Sequence, residues 1–110
     1  MTLRQARQQF SKMVSKLLRW LDEDGQAYAI DMFKRCKDCK VGHPNSLHKL
    51  GLAVDILFYD DPDGDGDPDN YRRDTAAYVR AGRYWESIGG SWGGRFSDGN
   101  HFSLAYGGLR

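Results

Sequence analysis

The chain has 110 residues, of which 40% are hydrophobic, 28% are charged and thirteen are glycine. This size and balance predict one soluble, loop-rich domain over residues 1–110 and exclude the disordered and fibrous classes. No apolar run is long enough to cross a bilayer, so we expect no stable membrane insertion.

The net charge of +1 is unevenly distributed along the chain. The first fifty residues carry a net charge of +5, and the other sixty carry −4. The basic half suits an anionic polymer and the acidic half suits a cation. Nucleic acid is not expected as a partner, because the basic residues lie along a predicted helix without interleaved stacking aromatics.

The N-terminal segment predicts an amphipathic helix from Leu3 to about Leu21, ended by the acidic turn at 22–25. Its apolar residues recur at three- and four-residue steps: Leu3, Ala6, Phe10, Met13, Val14, Leu17, Leu18 and Leu21. The basic residues between them form either a solvated face or a surface for attachment to the cell envelope. The N-terminus shows no secretory signal, so we expect the protein to reside first in the cytoplasm.

The segment Ala27–Phe33 predicts a first strand, although so short a run also fits a helix, and a polar loop follows over residues 34–45. This loop contains a CxxC pair, Cys36 and Cys39, which we expect to be reduced thiols in a chain without an export signal. Together with His43 they form a conceivable second zinc site, but a fourth ligand at suitable spacing is missing.

The segment from Leu52 to Phe58 is the clearest predicted strand. Its alternation places Ala53, Asp55 and Leu57 on one face and the larger apolar side chains on the other, so Asp55 projects from a rigid element. Gly51 permits a turn between this strand and the preceding His48.

The loop after this strand, residues 60–70, is rich in aspartate and glycine. Its alternate aspartates match the first half of an EF-hand calcium loop with glycine at the sixth position: Asp61, Asp63, Asp65, Asp67 and Asp69. The twelfth position is Arg72, where a bidentate glutamate is usual. The pattern fits either weak calcium binding or a disordered acidic surface loop.

The remaining elements are a helix, a glycine-rich turn and a strand. The helix is predicted over Tyr71–Trp85, the turn over residues 91–96 and the strand over His101–Tyr106. The order of helix, strand, loop, strand, helix and strand indicates an α+β fold with a small antiparallel sheet and flanking helices.

Two histidines and one carboxylate form the candidate catalytic centre. His48, Asp55 and His101 supply three ligands for a divalent metal, one fewer than tetrahedral zinc needs, which leaves a position for water. Asp98 precedes His101 by three residues and is placed to take a proton from that water without being a ligand. A metal hydrolase is therefore predicted.

The same residues carry a resemblance to the M15 zinc peptidases. Ser46, His48, Gly51, Ala53 and Asp55 reproduce the SxHxxGxAxD signature of that family. The segment from Asp98 to Phe102 resembles its second signature, an acidic residue three positions before a histidine that an aromatic residue follows. The resemblance runs from about Met32 to Leu104.

The resemblance implies a fold like that of the hedgehog proteins and DD-peptidases. It also implies that His48, Asp55 and His101 bind zinc and that Asp98 is the general base. Arg35 is the best match for the arginine that contacts the substrate or the developing oxyanion in the family, although Lys34 stands where the family has an aromatic residue. Ser46 either hydrogen-bonds the substrate or shapes the turn.

The short chain, its basic helix and the segment Trp92–Phe96 resemble the phage and prophage endolysins of the family. Such enzymes cut the L-Ala–D-Glu bond of peptidoglycan stem peptides and wait in the cytoplasm until a holin opens the membrane. The alternatives are a DD- or LD-carboxypeptidase, or a noncatalytic metal-stabilised module that binds the cell wall. We expect a monomer whose partner is the stem peptide.

Overall fold

The computed structural model describes residues 1–32 and 47–108, apart from the side chain of Met32. Two helices, α1 (Leu3–Asp24) and α2 (Val79–Ser87), accompany a five-stranded sheet. The strands are β1 (Ala27–Met32), β2 (Ala53–Asp60), β3 (Asn70–Arg72), β4 (Ser91–Trp92) and β5 (His101–Ser103). All their pairings are antiparallel, which confirms the predicted α+β class.

Helix α1 begins and ends with well-defined caps. The Thr2 hydroxyl accepts a hydrogen bond from the Gln5 amide at 3.1 Å, and the Gln5 side chain accepts one from the Thr2 amide at 2.8 Å. Gly25 ends the helix with φ of 78°, a left-handed conformation that favours glycine. The predicted helix is therefore confirmed and runs three residues beyond Leu21.

Strand β2 is the centre of the sheet. Tyr59 pairs with Ala27 of β1 and also with Tyr71 of β3, so β1 and β3 lie on opposite edges of β2. Asp55 pairs with Met32 of β1 and with His101 of β5, so β5 lies on the same edge as β3. The end of β3 and the start of β5 consequently face each other beside the middle of β2.

One apolar core joins the sheet to both helices. Trp85 of α2 is fully buried, and its ring meets Phe10 of α1 and Phe102 of β5 edge-on, with centroid distances of 5.9 and 6.0 Å. Ile56 of β2 is also fully buried. This packing leaves the opposite sheet face, which carries Asp55, available for polar chemistry.

The prediction of a helix over Tyr71–Trp85 was wrong for the first residues of that range. Tyr71 and Arg72 belong to β3, where they pair with Tyr59 and Phe58, and the Arg72 guanidinium forms ion pairs with Asp60 and Asp74. These long-range pairings outweigh the local helical pattern. A 3₁₀ helix at Thr75–Tyr78 then leads into α2, and the last predicted strand ends at Ser103 instead of Tyr106.

Within the two described ranges, no helix combines the length and the apolar character that crossing a membrane requires.

Candidate metal centre and active site

Cross-strand pairing places two of the predicted ligands side by side. Asp55 of β2 and His101 of β5 are partners in the antiparallel ladder, so their side chains project from the same sheet face. His101 Nδ1 lies 3.3 Å from Asp55 Oδ1. A pair held by two hydrogen-bonded strands has little freedom to separate, which suits a metal ligand set.

His48 reaches the same carboxylate from a 3₁₀ helix at Leu47–Leu50. Gly51, with φ of 73°, turns the chain from this helix into β2, as predicted, and the turn is closed by a hydrogen bond from the Leu52 amide to the Leu47 carbonyl at 2.9 Å. His48 Nε2 lies 3.2 Å from Asp55 Oδ1. The three predicted ligands therefore converge.

This group fits a zinc ion. One ligand atom from each of His48, Asp55 and His101 lies within 4.8 Å of the others. Two imidazole nitrogens and one carboxylate oxygen form a donor set that catalytic zinc sites use. His48 is almost fully buried, whereas the side chains of Asp55 and His101 are 19% and 15% exposed, so the group has one side open to solvent.

The electrostatics of the group favour an ionised carboxylate. Burial alone would raise the pKa of Asp55, but hydrogen bonds with His101 and His48 outweigh this effect and hold that pKa well below its usual range. A metal ligand has to be deprotonated, so Asp55 is already in the form that binds a cation.

Asp98 lies beside the group and more open to solvent. Its carboxylate Oδ2 is 4.0 Å from His101 Nδ1, and 60% of its side chain is exposed. Its backbone is fixed on both sides, since the Asp98 amide donates to the Gly93 carbonyl at 2.9 Å and the His101 amide donates to the Asp98 carbonyl at 3.1 Å. This geometry suits a base that exchanges protons with a water or substrate.

Two residues of the segment Trp92–Phe96, for which the sequence predicted no role in the site, hold the loop before β5. The buried indole of Trp92 donates to the Gly99 carbonyl at 2.8 Å. Gly93 has no room for a side chain, because a Cβ there would lie 2.3 Å from the Asp98 carbonyl oxygen and 2.7 Å from His101 Cβ. The glycine-rich segment before the second signature was a visible signal, but its contacts depend on the fold.

A family model described as D-alanyl-D-alanine carboxypeptidase, of the M15 peptidases, matches residues 40–104. The chain belongs to the M15 peptidase family. The match spans both signatures and every residue of the candidate metal centre. No curated protein sequence matches this chain. Membership indicates a peptidase that acts on peptidoglycan peptides, and the metal group accords with the zinc dependence that is typical of the family.

Several predicted residues of this M15 peptidase lie outside the described ranges. Arg35, the predicted substrate contact, and Ser46, which was predicted to contact the substrate or to shape the turn, fall within residues 33–46, as do the CxxC pair and His43. Their predicted roles therefore stay predictions.

The acidic loop forms a second carboxylate group. Asp61, Asp63 and Asp65 each offer an oxygen within 4.8 Å of the others. The amides of Asp65 and Gly66 donate to the Asp61 carboxylate, so both oxygens of Asp61 already accept a hydrogen bond from the backbone. Calcium binding by Asp61, Asp63, Asp65, Asp67 and Asp69 stays a prediction. Calorimetry with calcium on the zinc-loaded protein tests this prediction, and the absence of heat at millimolar calcium would contradict it.

Proposed function

We propose that this protein is a zinc-dependent peptidase that hydrolyses the L-Ala–D-Glu bond of peptidoglycan stem peptides. The observation that supports it most is the convergence of His48, Asp55 and His101 beside Asp98 in a chain of the M15 family. In this proposal residues 1–110 act as one peptidase domain.

The ligand residues and the base have separate tasks. His48, Asp55 and His101 would hold zinc, which would supply a Lewis acid for the scissile carbonyl and lower the pKa of water toward ~7. Asp98 accepts one proton of the attacking water while the oxygen bonds to the carbonyl carbon. The C–N bond then breaks, and Asp98 returns the proton to the leaving amine. The water is consumed, and a carboxylic acid and an amine are released.

The basic face of α1 supports an endolysin role. Arg4, Lys12, Lys16 and Arg19 lie on the exposed side of the helix, opposite its buried stripe. Positive charge there favours the anionic cell envelope, with an attraction that salt weakens. An endolysin of this kind stays in the cytoplasm until it is released to the wall of the lysing cell.

A DD- or LD-carboxypeptidase is the second candidate, favoured by the description of the matching family model. Digestion of purified peptidoglycan by the zinc-loaded protein, followed by mass analysis, separates the two. Whole stem peptides with a new N-terminal D-Glu support the proposal, whereas release of terminal D-Ala alone contradicts it. A noncatalytic module that binds the cell wall would release neither product.

A further inference from the structure

A polar cavity of about 300 Å³ opens where the end of β3 faces the start of β5. Tyr71 and Arg73 line it from the β3 side, and Asp98, Gly99 and Asn100 line it from the β5 side. Asp98 also stands 4.0 Å from His101. The cavity therefore adjoins the candidate metal centre on the side of the general base.

Arg73 is the cation of this cavity. Its guanidinium carbon lies 5.5 Å from the centre of the Tyr71 ring, which holds the charge by a cation–π contact. Among the described residues, no carboxylate lies within ion-pair distance of Arg73, whereas the adjacent Arg72 is bound to Asp60 and Asp74. Arg72 therefore has a structural role, and Arg73 has its hydrogen-bond donors available for a ligand.

Tyr78, which also lines the cavity, is committed to the fold. Its hydroxyl donates to the Arg72 carbonyl at 2.8 Å and accepts from the Phe58 amide at 2.9 Å. The charged groups that the described residues place on the cavity are consequently one cation, Arg73, and one carboxylate, Asp98. A ligand that fits this pair presents an amine or amide nitrogen to Asp98 and an anion to Arg73.

The residue on the leaving side of the scissile bond has this chemistry. Its nitrogen receives the proton from Asp98, so it lies beside that carboxylate. It carries a free α-carboxylate in both candidate substrates, because D-Glu is joined to the next residue through its side chain and a terminal D-Ala ends the peptide. We propose that Arg73 binds the α-carboxylate of the leaving residue and so determines substrate specificity. This inference rests on the proposed function.

Arginine suits this task because its planar fork can donate two parallel hydrogen bonds to one carboxylate. Loss of charge-assisted hydrogen bonds weakens binding by about 10- to 100-fold. We therefore expect Arg73→Gln to raise KM by about that factor, with little change in kcat, because Arg73 does not touch the reacting atoms.

The test uses the zinc-loaded protein and an N-acetylated stem pentapeptide in three forms. One form has both carboxylates free, one has the D-Glu α-carboxylate amidated, and one has the terminal D-Ala carboxylate amidated. Wild type, Arg73→Gln, Arg73→Lys and the control Arg83→Gln are compared, with zinc content and circular dichroism confirming the fold. Arg83 is exposed on α2 and does not line the cavity.

The expected result is that amidating the carboxylate next to the cleaved bond raises the wild-type KM about tenfold or more. The same amidation leaves the KM of Arg73→Gln unchanged. It raises the KM of Arg73→Lys by an intermediate factor and the KM of Arg83→Gln by the wild-type factor. The carboxylate whose amidation raises the wild-type KM identifies the leaving residue as D-Glu or D-Ala. An unchanged KM for Arg73→Gln, or an equal amidation penalty with and without Arg73, would overturn the inference.

Failure of the proposed function gives a different result. If the wild-type protein cleaves none of the peptides, calorimetry measures their binding to the same zinc-loaded variants. Binding that depends on both the α-carboxylate and Arg73 upholds the inference without the reaction. Binding that is independent of either, or no binding at all, refutes it.

Discussion

At the scale of single residues, the proposed centre combines largely buried ligands with an exposed base. His48 is almost fully buried, whereas most of the Asp98 side chain is in solvent. The two signatures predicted both sets, and the structure brings the three proposed ligands together. The position of Arg73 at the cavity beside Asp98 was not predicted, because nothing in the acidic stretch before it indicates that the chain returns to the start of β5.

Asp98→Asn tests the base. The amide has nearly the same shape but cannot take up a proton, so kcat for stem-peptide hydrolysis should fall by about 100-fold or more. Zinc content and thermal stability should match the wild type, since the carboxylate is exposed and is not one of the proposed ligands. Steady-state kinetics with metal analysis measures both. Retained turnover would exclude Asp98 as the base, and loss of zinc would give it a structural role.

At the scale of elements, the sequence predicted the helix and the strand with strong hydrophobic periodicity, but it did not predict the short strand that is defined by its pairing. The apolar stripe of α1 and the alternation of β2 predicted both elements. Strand β3 has only three residues, and Tyr71 and Arg72 also fit the helical spacing that follows. Its identity depends on Tyr59 and Phe58 of β2, more than ten residues away, so a local pattern did not reveal it.

Gly93→Ala tests how the loop before β5 positions the site. The new Cβ would collide with the Asp98 carbonyl and with His101 Cβ, so zinc affinity and kcat should fall together. Gly107→Ala is the matched control, since Gly107 has φ of 57° and open space around its Cβ position. That variant should lose about 1–2 kcal/mol of stability through backbone strain and keep wild-type zinc affinity. Equal effects of the two substitutions on zinc titrations would contradict this account of Gly93.

Tyr78 joins β2 to β3, and its contribution to the stability of the fold is expected to depend on pH in the alkaline range. Burial raises the pKa of Tyr78 to about 12, above the value near 10 of an unfolded chain. The protonated tyrosine therefore stabilises the fold fully below about pH 10, and this contribution is lost as the pH rises through about 12.

Tyr78→Phe should cost about 1–3 kcal/mol at neutral pH, because the Phe58 amide loses its acceptor and the Arg72 carbonyl loses its donor. The free energy of unfolding of the variant should also decline less between pH 10 and 12. Urea denaturation at several pH values measures both effects. Parallel pH curves for the two proteins would show that the ionisation of Tyr78 does not contribute to the loss of stability at alkaline pH.

At the scale of the whole molecule, the proposed metal centre brings together parts of the chain that are distant in sequence. The proposed ligands come from the 3₁₀ helix before β2, from β2 and from β5, so an ion bound there stabilises only the folded state. Zinc at about 100 times its Kd should add about 2.7 kcal/mol, a rise in Tm of roughly 10 °C or more. His48→Ala should abolish most of this rise, and Arg83→Gln should retain it. A rise that survives in His48→Ala would place the stabilising metal elsewhere.

The most direct test of the proposed centre is X-ray absorption at the zinc edge of the protein loaded with one equivalent of zinc. Coordination by His48, Asp55 and His101 predicts only nitrogen and oxygen neighbours at about 2.0–2.2 Å, two of them with the multiple-scattering pattern of imidazole. Sulfur neighbours at about 2.3 Å would show that Cys36 and Cys39 hold the metal instead, and would contradict the account.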